Sequence, residues 1–179
     1  AAWALPFPAS AGTAADPEVT DPAGDQDVDA GPLPFEVPGV NDEAFDDVDV
    51  TAAFVTEFGP LTRIVVQTTA GWTTGTMAVT FNVTRGPTSL PSSTATEAGR
   101  TFVVFVNGTE VGGVANATAA ATTDGLRIDV PTAALGAVGG DLLSGLRITT
   151  SRTDPGNFQE LEQDDQSGTD EAGPGRTYA

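Results

Sequence analysis

Cysteine, histidine and lysine are absent from this chain, and its seven basic residues are all arginine. Without cysteine there are no disulfide staples, thiolate metal sites or cysteine nucleophiles. Without histidine the usual zinc, copper and haem ligand sets and every histidine-based triad are excluded. Without lysine there is no Schiff-base chemistry and no P-loop lysine. Aromatics are also few, at 7%. No apolar run approaches the roughly 20 residues of a membrane span, so no membrane span is expected within the chain.

Acid is what the chain has in excess, with a net charge of −18. That charge repels phosphate backbones, and the scattered arginines form no basic stripe, so nucleic acid is not an expected partner. Its distribution is uneven. Residues 1–50 hold twelve acids and no arginine, residues 51–150 hold six acids and five arginines, and residues 151–179 hold seven acids and two arginines. Missing lysine and abundant aspartate fit a surface kept hydrated in concentrated salt. That pressure alone would acidify the middle as well, so the acid-loaded ends call for a further cause.

From Val48 onward apolar residues recur with period two, the pattern of half-buried strands. In "DVDVTAAFVTEF" the alternation puts Val48, Val50, Ala52, Phe54 and Phe58 on one face. "LTRIVVQTT", "TMAVTFNVT", "TFVVFVN", "TEVGGV", "GLRIDV" and "GLRITTS" follow, with glycine-containing turns between most of them. Asn107-Gly108 suits a type I′ hairpin turn, and Asp124-Gly125 marks a second tight turn. Only "PTAALGAV", residues 131–138, reads as helical, a single turn between two strands. The pattern predicts an all-β antiparallel β-sandwich, jelly-roll or Ig-like, with extended acidic N- and C-terminal segments. The divisions are an arm over 1–46, a sandwich core over 47–151, and an acidic segment over 152–179 that packs on the sandwich or on a neighbour.

Four features carry candidate chemistry. In "DPAGDQDVDAGPLPFE" the residues Asp21, Asp25, Asp27, Asp29 and Glu36 supply the hard oxygen ligands that calcium requires, with Asp25, Asp27, Asp29 and Glu36 at EF-like positions 1, 3, 5 and 12. Position 6 is Ala30 rather than glycine, and Pro32 and Pro34 forbid an exiting helix. The alternative is solvated acidic surface. The triplets starting at Asn82, Asn107 and Asn116 permit N-linked glycans on an exported chain, although threonine-rich sequences also produce them by chance. Trp72, in a Gly-Trp-Thr stretch, is the best internal platform for sugar stacking, with core packing as the competing role. Finally, Trp3, Leu5 and Phe7 make an apolar, proline-extended arm that must be buried against its own sandwich or in a neighbour's groove.

"DPAGD", the "GP" at 31–32, and "AFDDVDVTAAFV" together resemble the opening of DOMON-like or carbohydrate-binding-like secreted β-sandwich domains. "LRIDVPTAALG" is similar to their late strand and helical turn, and "DEAGPGRTY" resembles an acidic segment near the end of haloarchaeal-type cell-surface domains. The resemblance implies an extracellular sandwich, with calcium at Asp21, Asp25, Asp27 and Asp29. It implies no haem, since no histidine is present, and no enzymatic activity.

Two functions are therefore expected. One is an extracellular structural subunit of a filament, pilus-like thread or surface layer, assembling with identical subunits by strand donation from the apolar arm. The alternative is a monomeric carbohydrate- or ligand-binding module. Hydrolysis by paired carboxylates ranks behind both, because no pair has an apolar neighbour to raise one pKa.

Overall fold

The computed structural model describes residues 12–20, 27–29, 46–84, 99–153, 161–167 and 176–177. Within them the period-two pattern becomes twelve strands. They are β1 (Val19–Thr20), β2 (Asp27–Asp29), β3 (Val50–Phe58), β4 (Leu61–Thr68), β5 (Thr76–Thr84), β6 (Arg100–Asn107), β7 (Glu110–Gly112), β8 (Thr118–Thr122), β9 (Gly125–Pro131), β10 (Leu142–Thr153), β11 (Leu161–Ser167) and β12 (Arg176–Thr177). All pairings are antiparallel. One sheet runs β1-β3-β4-β9-β8 and the other β2-β11-β10-β5-β6-β7, with β12 also on β10. The fold is an all-β antiparallel sandwich. Among the described residues no helix is long and apolar enough to cross a membrane.

Alternation explains the core. On β4 the buried positions are Thr62, Ile64, Val66 and Thr68, and on β5 they are Met77, Val79, Phe81 and Val83. Leu126, Ile128 and Val130 join from β9, and Val104, Val106, Leu143, Leu146 and Ile148 from β6 and β10. Burial of each such side chain contributes about 1.5–3 kcal/mol. Some of the polar groups enclosed with them are matched: Thr62 and Thr132 hydroxyls pair at 2.7 Å, and Thr150 Oγ1 donates to the Val48 carbonyl at 2.6 Å. The second bond ties β10 to the chain entering β3, one sheet to the other.

Several local expectations are corrected. The single face read for Val48, Val50, Ala52, Phe54 and Phe58 does not survive, because β3 has register shifts between Val50 and Ala52 and between Val55 and Glu57. Each bulge inserts a residue and flips the alternation, so Val48, Val50, Ala53, Val55 and Phe58 enter the core cluster. The hairpin after β6 is not type I′. Asn107 is the last strand residue, paired with Glu110, and of the two loop residues Gly108 and Thr109 only Gly108 has positive φ, at 58°. That is the type II′ pattern, which needs glycine only at its first central position. The helical turn is a 3-10 turn over Thr132–Leu135, stopped by Gly136 at φ 60° with Leu135 buried.

The boundary at 151 falls inside β10, and both acidic ends lend strands to the sandwich. β1 pairs with β3, β11 lies along β10, and β2 adds to β11. "LEQDDQS" has little strand propensity of its own. What holds it is the ladder along β10, whose backbone groups need partners.

Candidate functional site

The outer face of the second sheet carries a trough of about 450 Å³, within the range of ligand pockets, about 300–1,000 Å³. Strand register builds it in rows. Glu110, Asn107, Thr76 and Ser151 are successive cross-strand partners, as are Gly112, Phe105, Ala78 and Thr149. All eight line the trough. Phe105 is one of the lining residues and is 56% exposed, an unusual position for a large apolar ring. Its cross-strand neighbours are a glycine and an alanine, so the ring is left standing with open flanks. Gly113, at φ 92°, lets the chain turn close by: a Cβ there would meet the Val103 carbonyl carbon at 3.2 Å and Phe105 Cδ2 at 3.3 Å.

Beside the ring the trough is lined by Met77, Val106 and Val111 and by polar groups. Thr76 and Ser151 hydroxyls pair at 2.5 Å, and Thr76 Oγ1 also donates to the Ser151 carbonyl at 3.3 Å. The Asn107 amide and the Glu110 carboxylate complete the upper row. An apolar ring face with hydroxyl, amide and carboxylate partners at its rim suits a flat, polyhydroxylated ligand. Among the described residues Glu110 is the one carboxylate lining the trough.

The first sheet's outer face is built differently. Arg63 grips Asp129 with two bonds, Nε to Oδ1 at 2.7 Å and Nη2 to Oδ2 at 3.3 Å. Arg127 Nε reaches Asp129 Oδ2 at 3.3 Å, and Glu57 Oε2 lies 3.8 Å from Arg63 Nη1. The Asp129 hydrogen bond raises the Arg63 pKa above its ordinary value, against the opposing effect of burial. These charges neutralise one another across neighbouring strands, and among the described residues of this face no aromatic ring is exposed.

Compared with known proteins, the chain matches no family model, no curated protein and no solved structure. Function must therefore be argued from these side chains.

The residues singled out from sequence fall as follows. Trp72 is corrected: it is 3% exposed, lies in the core, and donates from Nε1 to the Gly108 carbonyl at 2.8 Å, so it presents no face to a sugar. Asp27 and Asp29 lie in β2, opposite Gln163 and Leu161 on β11. Asp21, Asp25 and Glu36 lie outside the described residues, as do Trp3, Leu5 and Phe7. Among the described residues no group of three or more Asp, Glu, His or Cys is placed to hold a metal ion. The acidic stretch before β3 has a structural use: Asp49 accepts from the Thr69 hydroxyl and Asp47 from the Thr73 hydroxyl. These bonds organise the loop that carries Trp72.

The three asparagines differ. Asn82 is half-buried within β5 and its Oδ1 accepts from Thr101 Oγ1 at 2.7 Å. Asn116 sits in an exposed turn with φ 58°. Asn107 is exposed at the rim of the trough.

Sequence reading passed over Phe105. Its strand is apolar at five consecutive positions, 102 to 106, so no alternation is visible inside it. The signal lay at the strand's ends, where Thr101 and Asn107 are polar and share Phe105's phase.

Proposed function

We propose that this chain is a non-catalytic module of an exported protein that binds carbohydrate or a similar ring-bearing, hydroxylated ligand on the outer face of its second sheet. One observation carries the reading: Phe105, solvent-exposed in a trough that hydroxyl, amide and carboxylate groups also line. The sequence resemblance to DOMON-like and carbohydrate-binding-like sandwiches supports it. Phe105→Ala is expected to weaken binding to the best polysaccharide of a panel by roughly 30-fold, the loss of about 2 kcal/mol typical of a central aromatic contact. Stability should stay within about 0.5 kcal/mol, as for other exposed positions. Titration calorimetry and urea unfolding of the same samples read both quantities. A wild-type chain that binds no member of the panel sinks the proposal.

A second reading, assembly of identical subunits by strand addition, is favoured by the edge of the first sheet. β8, an exposed Thr-Ala-Ala-Ala-Thr strand, pairs with β9, and among the described residues no strand pairs with its other edge. An open edge is a template for a further strand. Here the donor is the arm bearing Trp3, Leu5 and Phe7. Deleting residues 1–12 should convert polymer to a monomer slightly lighter than the 18.1 kDa full chain by light scattering in high salt, with or without calcium. A full-length chain that is itself monomeric under both conditions removes this reading.

A further inference from the structure

Phe105 and Asn107 are two residues apart on one strand, and in a strand such residues project from the same face about 6.8 Å apart. Both are exposed. Asn107-Gly108-Thr109 is an N-glycan acceptor triplet, held at a hairpin turn whose two central residues are its own glycine and threonine. Of the three triplets in the chain, this one alone has an aromatic residue two positions before the asparagine. Thr80 and Val114 occupy that place for Asn82 and Asn116. A sugar on the Asn107 side chain therefore starts beside an exposed ring with open flanks.

We infer that Asn107 is an N-glycan attachment site, that the first sugar of this glycan lies with its C–H face on the Phe105 ring, and that attachment thereby closes the trough to free ligand. The attachment stands on the turn and the ring; the closing of the trough rests on the proposed binding function. Chemically, the asparagine Nδ2 forms a bond to the anomeric carbon of an oligosaccharide carried on a polyisoprenoid phosphate or diphosphate. The anomeric C–O bond to phosphate breaks, the lipid phosphate leaves with the bonding pair, and the amide nitrogen loses one proton. No oxidant or reductant is involved.

The geometry gives each part a reason. Sugar C–H groups against an aromatic face bury apolar area on both partners and add weak C–H contacts to the ring. Gly112 and Ala78 leave room beside the ring for a sugar wider than the phenyl group. Glu110, opposite Asn107, and Thr76, on its other side, offer partners to the sugar's hydroxyls. A ring otherwise left in water, as Phe105 is, becomes covered by a group the chain itself carries.

The test expresses the full chain in a secretory host that attaches N-linked glycans, beside Thr109→Ala, which destroys the triplet but keeps Asn107 in the trough, and beside Phe105→Ala and Phe105→Tyr. Glycopeptide mass spectrometry should find Asn107 occupied. NMR should find ring protons of the first sugar moved upfield by the aromatic ring current, a shift lost in Phe105→Ala and kept in Phe105→Tyr. The glycosylated wild type should bind polysaccharide at least about tenfold more weakly than Thr109→Ala, a difference of about 1.4 kcal/mol. An unmodified Asn107 overturns the assignment. An occupied Asn107 whose sugar shifts are the same with and without Phe105 overturns the stacking. If Thr109→Ala binds no polysaccharide, the binding function has failed, and occupancy and ring-current shift still decide the attachment site.

Discussion

Trp72→Ala should lower the unfolding free energy by about 3–5 kcal/mol, the usual cost of emptying a buried indole site. The side chain lies in the core cluster with 3% of its surface exposed. It also reaches across the fold: its Nε1–H donates to the Gly108 carbonyl at 2.8 Å, which fastens the β6-β7 hairpin from beneath. The same hairpin holds Asn107 and Glu110 above. Trp72→Phe keeps most of the apolar volume and removes that bond, so it should lose closer to about 1 kcal/mol plus a modest packing cost. Urea unfolding at fixed salt measures both, with an unchanged m-value indicating that only stability has moved. An alanine variant as stable as the wild type would mean that Trp72 is no part of the core.

Gly125→Ala should be of similar size for a different reason. Gly125 follows the turn into β9 with φ at 151°, where L side chains are rarely found, and a Cβ there would overlap the Val66 carbonyl oxygen while meeting Gln67 Cα at 2.9 Å. All of these neighbours are backbone of β4, the strand at the middle of the first sheet, and none can rotate away. Backbone strain and overpacking each contribute about 1–3 kcal/mol, so the loss is about 2–6 kcal/mol. Thermal unfolding beside Gly108→Ala makes the comparison internal, since a Cβ at Gly108 meets nothing within 4 Å. Equal effects at the two glycines would contradict the steric account.

Much of the sandwich was legible because alternation is a local property. β4, β5 and β9 read cleanly, because buried and partly exposed positions alternate along them. β3 did not, because its two bulges shift the phase twice and a bulge leaves no mark in the order of apolar residues. The terminal strands were illegible for another reason: Asp27–Asp29 and Leu161–Ser167 are strands only because β10 and then β11 offer a ladder, a property of the assembled sheet. The candidate site was missed where composition is ambiguous. Five apolar residues in a row hide which ring faces water, and the tryptophan in a glycine turn looked more exposed than the phenylalanine in a strand. Its indole N–H found an acceptor inside the fold, which made full burial affordable.

The pairing of β2 with β11 joins the two acidic ends of the chain. Asp27 and Asp29 sit on one strand and Glu162, Asp164 and Asp165 on the next, five carboxylates with no arginine on either strand. Arg152 stands opposite Glu162 only on the far neighbour, β10. At about 0.01 M salt, charges act over about 30 Å, and at 1 M over about 3 Å, less than the roughly 4.8 Å between neighbouring strands. This border is a seam whose cohesion follows ionic strength. In brine each strand is electrostatically blind to the next and backbone bonding alone decides; in dilute buffer the two strands are expected to repel, so that the sandwich parts first at this border and uncovers the edge of β11.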